Sequence, residues 1–182
     1  MQFAYDNIAI SGGIAVGTTT LFNNLKPYLE PYGFKFKSIG QFVREHTKEN
    51  VFPVATLVSD DFDREIERKV RETFKREKKW VIESWLAGFL AKDLKKTLKI
   101  LLTCSNEALR IDRIVNRDGI PVKEAKKVIK KREEENFKKW RRLYGDHDFL
   151  NPDYYHLCID TYSSGQLETV GKVLDALGYK QK

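Results

Sequence analysis

A glycine-rich turn set between an apolar strand and a helix is the feature that most narrows the folds open to this chain. Asn7–Ile10 reads as a strand, then comes Ser11-Gly12-Gly13-Ile14-Ala15-Val16-Gly17-Thr18-Thr19-Thr20, and a helix-compatible stretch follows to Leu29. Gly12 and Gly17 are five apart, a spacing that lets the backbone wrap a phosphate through Gly13, Ile14, Ala15 and Val16. The N–H groups at the helix start then point into that cradle, favoured by the positive end of the helix dipole. Thr19 falls where a hydroxyl would bind Mg²⁺, with Thr20 beside it. Thr18 occupies the place of the lysine that usually reaches the outer phosphates, so the missing cation must come from elsewhere. The competing reading is a βα turn that binds nothing; the order of strand, loop, hydroxyl and helix weighs against it.

Short apolar or β-branched runs alternate with longer segments of helical period along the rest of the chain. That is the pattern of an α/β fold, a parallel sheet flanked by helices. Five strands are expected, at Asn7–Ile10, Phe34–Ser38, Trp80–Glu83, Leu98–Thr103 and His156–Asp160. Helices are expected at Thr18–Leu29, Gln41–Asn50, Asp60–Lys78, Trp85–Ala91, Glu107–Arg117, Val122–Tyr144 and Gln166–Leu177, the last entered through a Ser163 capping box. No Pro/Gly-rich linker or internal repeat divides the 182 residues, so the expectation is one domain.

The chain carries 33 Lys+Arg against 26 Asp+Glu, a net charge of +7. Such an excess suggests nucleic acid, an anionic membrane or phosphorylated ligands. Its placement narrows the choice, because Pro121–Gly145 alone holds ten basic residues against four acids. No apolar run approaches the roughly 20 residues of a membrane span. The N-terminus has no basic start followed by an apolar core, which reads as cytosolic. Cys104 and Cys158 both sit in apolar segments and read as free thiols behaving as small hydrophobes. His46, His147 and His156 have no spacing that suggests a metal site.

Several segments resemble one family. Gly17-Thr18-Thr19-Thr20 is similar to the loop of archaeal-type cytidylate kinases, in which Gly-Thr-Thr-Thr commonly replaces Gly-Lys-Thr. Ser38-Ile39-Gly40-Gln41-Phe42-Val43-Arg44 resembles Ser-Ala-Gly-Asp-Ile-Phe-Arg, Phe62 to Glu67 resembles Ile-Asp-Arg-Glu-Ile-Asp, and Val81 to Gly88 resembles Val-Leu-Glu-Gly-Arg-Leu-Ala-Gly. Arg110-x-x-Arg113-x-x-x-Arg117-x-Gly119, Lys131-Arg132-Glu133-Glu134 and Tyr144-Gly145 continue the likeness in the same order, over about residues 7 to 175. Three positions depart from the pattern: Trp85 where an arginine is usual, Gln41 where an acid is usual, and Ile14-Ala15-Val16 where Pro-Gly-Ser is common.

The resemblance implies a P-loop nucleoside monophosphate (NMP) kinase fold over residues 1–182. Its NMP-binding region would span about 38–79 and its lid about 113–142. It implies a cytoplasmic transferase moving the ATP γ-phosphate to CMP or dCMP with Mg²⁺. The implied acceptor contacts are Ser38, Arg44 and Asp63, with Trp85 at the departed position. The partners expected are ATP and a nucleoside monophosphate, for a monomer that binds neither membrane nor nucleic acid. Two other functions stay open: a nucleotide-binding P-loop protein with degenerate kinase activity, and a kinase for another small acceptor.

Read physically, Arg113 and Arg117 are four apart on one helix face, three and seven residues after Arg110, and could converge on a triphosphate or stack on a purine; a solvated face is the alternative. In the basic segment Arg132 and Lys139 lie seven apart, within about 20° on a helix. Arg132 is the first choice for clamping the migrating phosphoryl group and Lys139 the second. Phe137, Trp140 and Tyr144 form a separate stripe, read as core. The alternative for Asp63 is a carboxylate stabilised by a helix N-terminus, which needs no ligand. Glu83 ends a central strand, where α/β folds place ligand-facing groups, and could organise Mg²⁺-bound water or the acceptor; a buried carboxylate paired with a neighbouring lysine would look the same in sequence.

Overall fold

The computed structural model describes residues 2–47 and 58–180. Five strands form one parallel sheet: β1 (Asn7–Gly12), β2 (Lys35–Ser38), β3 (Trp80–Glu83), β4 (Thr97–Thr103) and β5 (Leu157–Asp160), in the order β2-β3-β1-β4-β5. The helices are α1 (Thr18–Leu29), α2 (Ile39–Thr47), α3 (Asp60–Arg76), α4 (Ala87–Leu90), α5 (Glu107–Asp118), α6 (Val122–Tyr144) and α7 (Gln166–Leu177). β1 runs two residues further than its apolar run suggests, because Ser11 and Gly12 stay in register with Leu101 and Leu102 of β4. The chain crosses from one side of β1 to the other between β3 and β4. A crevice therefore opens at the carboxyl ends of these strands, where open α/β sheets bind ligands.

Alternation along β1 assigns its two faces. Ile8 and Ile10 pack under Leu21, Leu25 and Leu29 of α1 and Val170, Val173 and Leu177 of α7. Ala9 packs on the opposite face with Ile82 of β3, under Ile66, Val70 and Phe74 of α3. A small residue at Ala9 fits the close approach of α4, whose Gly88 lies against the ring of Tyr155. A Cβ built on Gly88 would meet Tyr155 Cε1 at 2.1 Å. Tyr155 cannot retreat, since it is buried and its hydroxyl donates to the Phe149 carbonyl at 3.1 Å. Gly88→Ala is therefore expected to lower stability by about 1–3 kcal/mol, read as a shifted urea midpoint at unchanged slope.

The aromatic stripe of α6 is core. Trp140 is buried with Leu86, Phe89 and Phe149, and Phe137 and Tyr144 pack against that cluster. Two expectations need correction. α7 is N-capped by Gly165 with no side-chain cap, while Ser163 donates from Oγ to the Asp160 carbonyl at 3.2 Å; the turn after β5 uses that serine before the helix begins. Cys158 is exposed, because β5 is an edge strand with helical cover on only part of its surface.

Candidate functional site

A cleft of about 960 Å³ opens at the carboxyl ends of β1 and β3. That is the upper end of the roughly 300–1,000 Å³ of small-molecule sites. The glycine-rich loop forms its floor. Gly12 sits where a side chain has no room: a Cβ there would lie 2.7 Å from the Leu102 carbonyl oxygen and 2.6 Å from Val16 Cγ2. Gly17 N-caps α1, and Thr18, Thr19 and Thr20 form the first turn of that helix. Ile14 and Val16 are buried, Ile14 against α5 and α6 and Val16 in the main core, so their bulk is packed away from the phosphate cradle. Ala15 takes φ of 58°, left-handed backbone that costs an alanine about 1–2 kcal/mol.

What holds Ala15 there is a belt of donors along the loop, two of which, Arg113 and Thr161, also line the cleft. Arg110 Nε donates to the Ile14 carbonyl at 3.0 Å, Arg113 Nη1 to the Ala15 carbonyl at 2.9 Å, and Thr161 Oγ1 to the Val16 carbonyl at 2.9 Å. Three consecutive carbonyls are thus held by side chains. In a trans peptide the N–H points opposite to its carbonyl, so the amides of residues 15 to 17 are turned away from these donors. Arg113 also donates to the hydroxyl and carbonyl of Thr161, at 3.1 and 3.3 Å. In this conformation it braces the loop, where sequence placed it on the triphosphate. Arg110 is further paired with Glu133 of α6.

Glu83 is the polar hub of the cleft and is 9% exposed. Thr18 donates to its Oε1 at 2.8 Å, Thr19 to the same oxygen at 3.4 Å, and Ser38 to Oε2 at 2.5 Å. No lysine is among these partners; three hydroxyls satisfy the carboxylate. A hydroxyl and a carboxylate at adjoining positions are the hard oxygen donors that suit Mg²⁺. Trp85 lines the cleft next to Glu83, its indole edge-on to Phe137 at 6.0 Å and Trp140 at 5.2 Å.

The cationic residues divide. Arg113, Arg117 and Arg132 line the cleft. Arg117 also holds Asp118 through two bonds of 2.6 and 2.7 Å, and that guanidinium lowers the Asp118 carboxyl below its usual range. Lys139 lies elsewhere. It is 6% exposed, its ammonium 2.6 Å from Asp63 Oδ2 and donating to the Val58 carbonyl at 2.7 Å, so it ties α6 to the start of α3. Arg142 and Asp60 form a second tie between the same helices. Burial raises the Asp63 carboxyl above its ordinary value, with the Lys139 hydrogen bond opposing. Arg44 lies on α2, with its side chain outside the described residues.

Sequence reading did not single out Thr161 or Glu67. Thr161 follows the edge strand and carries no motif. Glu67 lines the cleft one turn after Asp63. Burial, reinforced by the Asp63 charge and opposed by Lys139, lifts its carboxyl to about 8. The available signal was its spacing, four after Asp63 and three before Val70, on the face of α3 that turns inward.

Comparison with known proteins agrees with this site. Residues 32–163 match the cytidylate kinase-like family. A cytidylate kinase of Pyrococcus abyssi is 37% identical over 159 residues, covering 85% of this chain and 83% of that protein. The chain belongs to the cytidylate kinase-like family. A second member, the cytidylate kinase of Methanopyrus kandleri, is 34% identical over 176 residues, 89% of this chain and 88% of that protein. Among solved structures, a protein of Eubacterium ventriosum superposes with a TM-score of 0.70 at 18% identity, covering 96% of this chain and 99% of that one. Shikimate kinase from Acinetobacter baumannii superposes at 0.55 with 16% identity, covering 94% and 92%. These structural likenesses establish the P-loop kinase fold.

Proposed function

We propose that this protein is a nucleoside monophosphate kinase that transfers the γ-phosphoryl group of ATP to CMP or dCMP. The observation that carries this is one cleft with two unlike halves. On one side lies a glycine-rich loop whose carbonyls are held by Arg110, Arg113 and Thr161. Ser38, Asp63 and Trp85 line the same cleft and would take the acceptor, with Glu83 bonded to both Ser38 and the loop threonines. We assign the acceptor to residues 38–79 and the lid to 113–142. An oxygen of the CMP phosphate attacks the γ-phosphorus as the bond to the β-bridging oxygen breaks, giving CDP and ADP. The protein's work is alignment and charge neutralisation. Arg132, with Arg113 and Arg117, supplies the cations that the absent loop lysine would have given. Thr19 would hold Mg²⁺ with Glu83 organising its water, and the ion would neutralise charge on the outer phosphates. Lid closure excludes water and so favours CMP over hydrolysis.

The physiological setting proposed is a monomer in the cytoplasm, with ATP and a nucleoside monophosphate as partners and no nucleic acid. Among the described residues no helix is long and apolar enough to cross a membrane. ADP release measured with CMP, dCMP, UMP, AMP and the small alcohols shikimate and gluconate tests the reading. The highest kcat/KM is expected with CMP or dCMP. ATP binding without acceptor-dependent ADP release would instead assign a nucleotide-binding protein with lost kinase activity, and a preference for an alcohol would assign another acceptor.

A further inference from the structure

We propose that the Glu67 carboxyl reads the base of the acceptor nucleotide, taking a hydrogen bond from its exocyclic amine and returning one to the adjacent ring nitrogen. The inference rests on the function proposed above and adds the residue that selects the base. Asp63, which the family resemblance suggests for the acceptor, has one oxygen 2.6 Å from the Lys139 ammonium and is held in that ion pair. Glu67 is different. It lines the same cleft, and its Oε2 makes no hydrogen bond; that atom is closed off from solvent, so a base would meet it once the carboxyl turns into the cleft. A buried polar atom left unmatched is destabilising, and a ligand group that matches it removes that cost. Ile39, Val43, Ile66, Val70 and Leu90 line the cleft with it, a wall that suits the faces of a flat heterocycle.

The chemistry of the carboxyl selects the base edge. The charges acting on Glu67 are Asp63 on its own helix and Lys139 from α6, while Glu83 of β3 and Arg132 of α6 line the same cleft. Burial and Asp63 outweigh Lys139, so the group holds its proton at neutral pH. A neutral carboxyl offers one donor and one acceptor side by side. Cytosine presents the complement, an N4 amine that donates and an N3 that accepts. An ionised carboxylate would still take the amine proton but would face the N3 lone pair with repulsion. CMP binding should therefore be level from pH 6.5 to about 7.5, and KM for CMP should rise about tenfold per pH unit above pH 8, as the neutral form is lost. The second ionisation of the CMP phosphate has its midpoint near pH 6 and contributes little above pH 8.

The test measures KM for CMP, and for its analogue lacking the 4-amino group, at saturating ATP between pH 6.5 and 9.5, in the wild type and in Glu67→Gln and Glu67→Met. The wild type should show the rise in KM above pH 8 and should favour CMP over the analogue by roughly tenfold. Glu67→Gln keeps a donor and an acceptor without titrating, so its KM should lose the pH dependence while preference for the 4-amine persists. Glu67→Met should raise KM for CMP by about 10–100-fold and treat CMP and the analogue alike. A wild-type KM that stays level to pH 9.5, or a Met variant that still discriminates between the two nucleotides, would overturn the assignment of Glu67 alone. A wild type that transfers no phosphate to CMP would overturn the proposed function and this inference with it.

Discussion

Arg132→Ala is expected to lower kcat by about 10²–10³-fold, the range seen when one donor that stabilises developing charge is removed, while KM for CMP stays within about threefold. Arg132 reaches the cleft from α6, and the loop itself offers no cationic side chain, since Thr18 occupies the lysine position and spends its hydroxyl on Glu83. Arg113 and Arg117 line the cleft as well, Arg113 bonded to the carbonyls of Ala15 and Thr161 and Arg117 to Asp118. An interaction made mainly with the migrating phosphoryl group appears in kcat and not in acceptor affinity. Steady-state rates against CMP at saturating ATP decide the matter, and an unchanged kcat would remove Arg132 from the chemistry.

Lys139→Ala should behave in the opposite way. Removing one partner of a buried ion pair leaves the other charge uncompensated, at a cost of about 3–5 kcal/mol. The 6% exposure of Lys139 and its 2.6 Å approach to Asp63 place it in that regime. Chemical denaturation should show the loss in full, while kcat of the folded protein falls less than in Arg132→Ala. Lys139→Met combined with Asp63→Asn should recover much of the stability, because neither residue then leaves a buried charge. If Lys139→Ala retained wild-type stability but lost turnover, the lysine would belong with the phosphates after all.

The contrast between these two residues shows where sequence reading stops. Seven residues apart on a helix, Arg132 and Lys139 share a face, and on that ground both were placed at the reaction centre. Seven residues also advance about 10 Å along the axis. That advance carries Lys139 out of the cleft and onto the start of α3, and periodicity does not report it. The strands and the loop were legible for the converse reason. Alternation in β1, with Ile8 and Ile10 under α1 and Ala9 on the other face, is a local signal, as is a strand leading into a glycine-rich turn. Glu83 was placed at its strand end correctly, but its three hydroxyl partners come from two separate segments and could not be named. The belt that holds the loop was hidden altogether: Arg113 and the Ala15 carbonyl it holds are 98 positions apart, and Thr161 and Val16 are 145 apart. The left-handed Ala15 is held by those distant contacts, so the departure at Ile14-Ala15-Val16 gave no local sign that the loop is braced.

Following the labelled γ-phosphate is the most direct test of the account. With ATP labelled at that position, Mg²⁺ and CMP, the protein should place the label on CDP, with release of inorganic phosphate a minor product that does not grow when CMP is added. Binding of both nucleotides with the label recovered only as ATP or inorganic phosphate would contradict it.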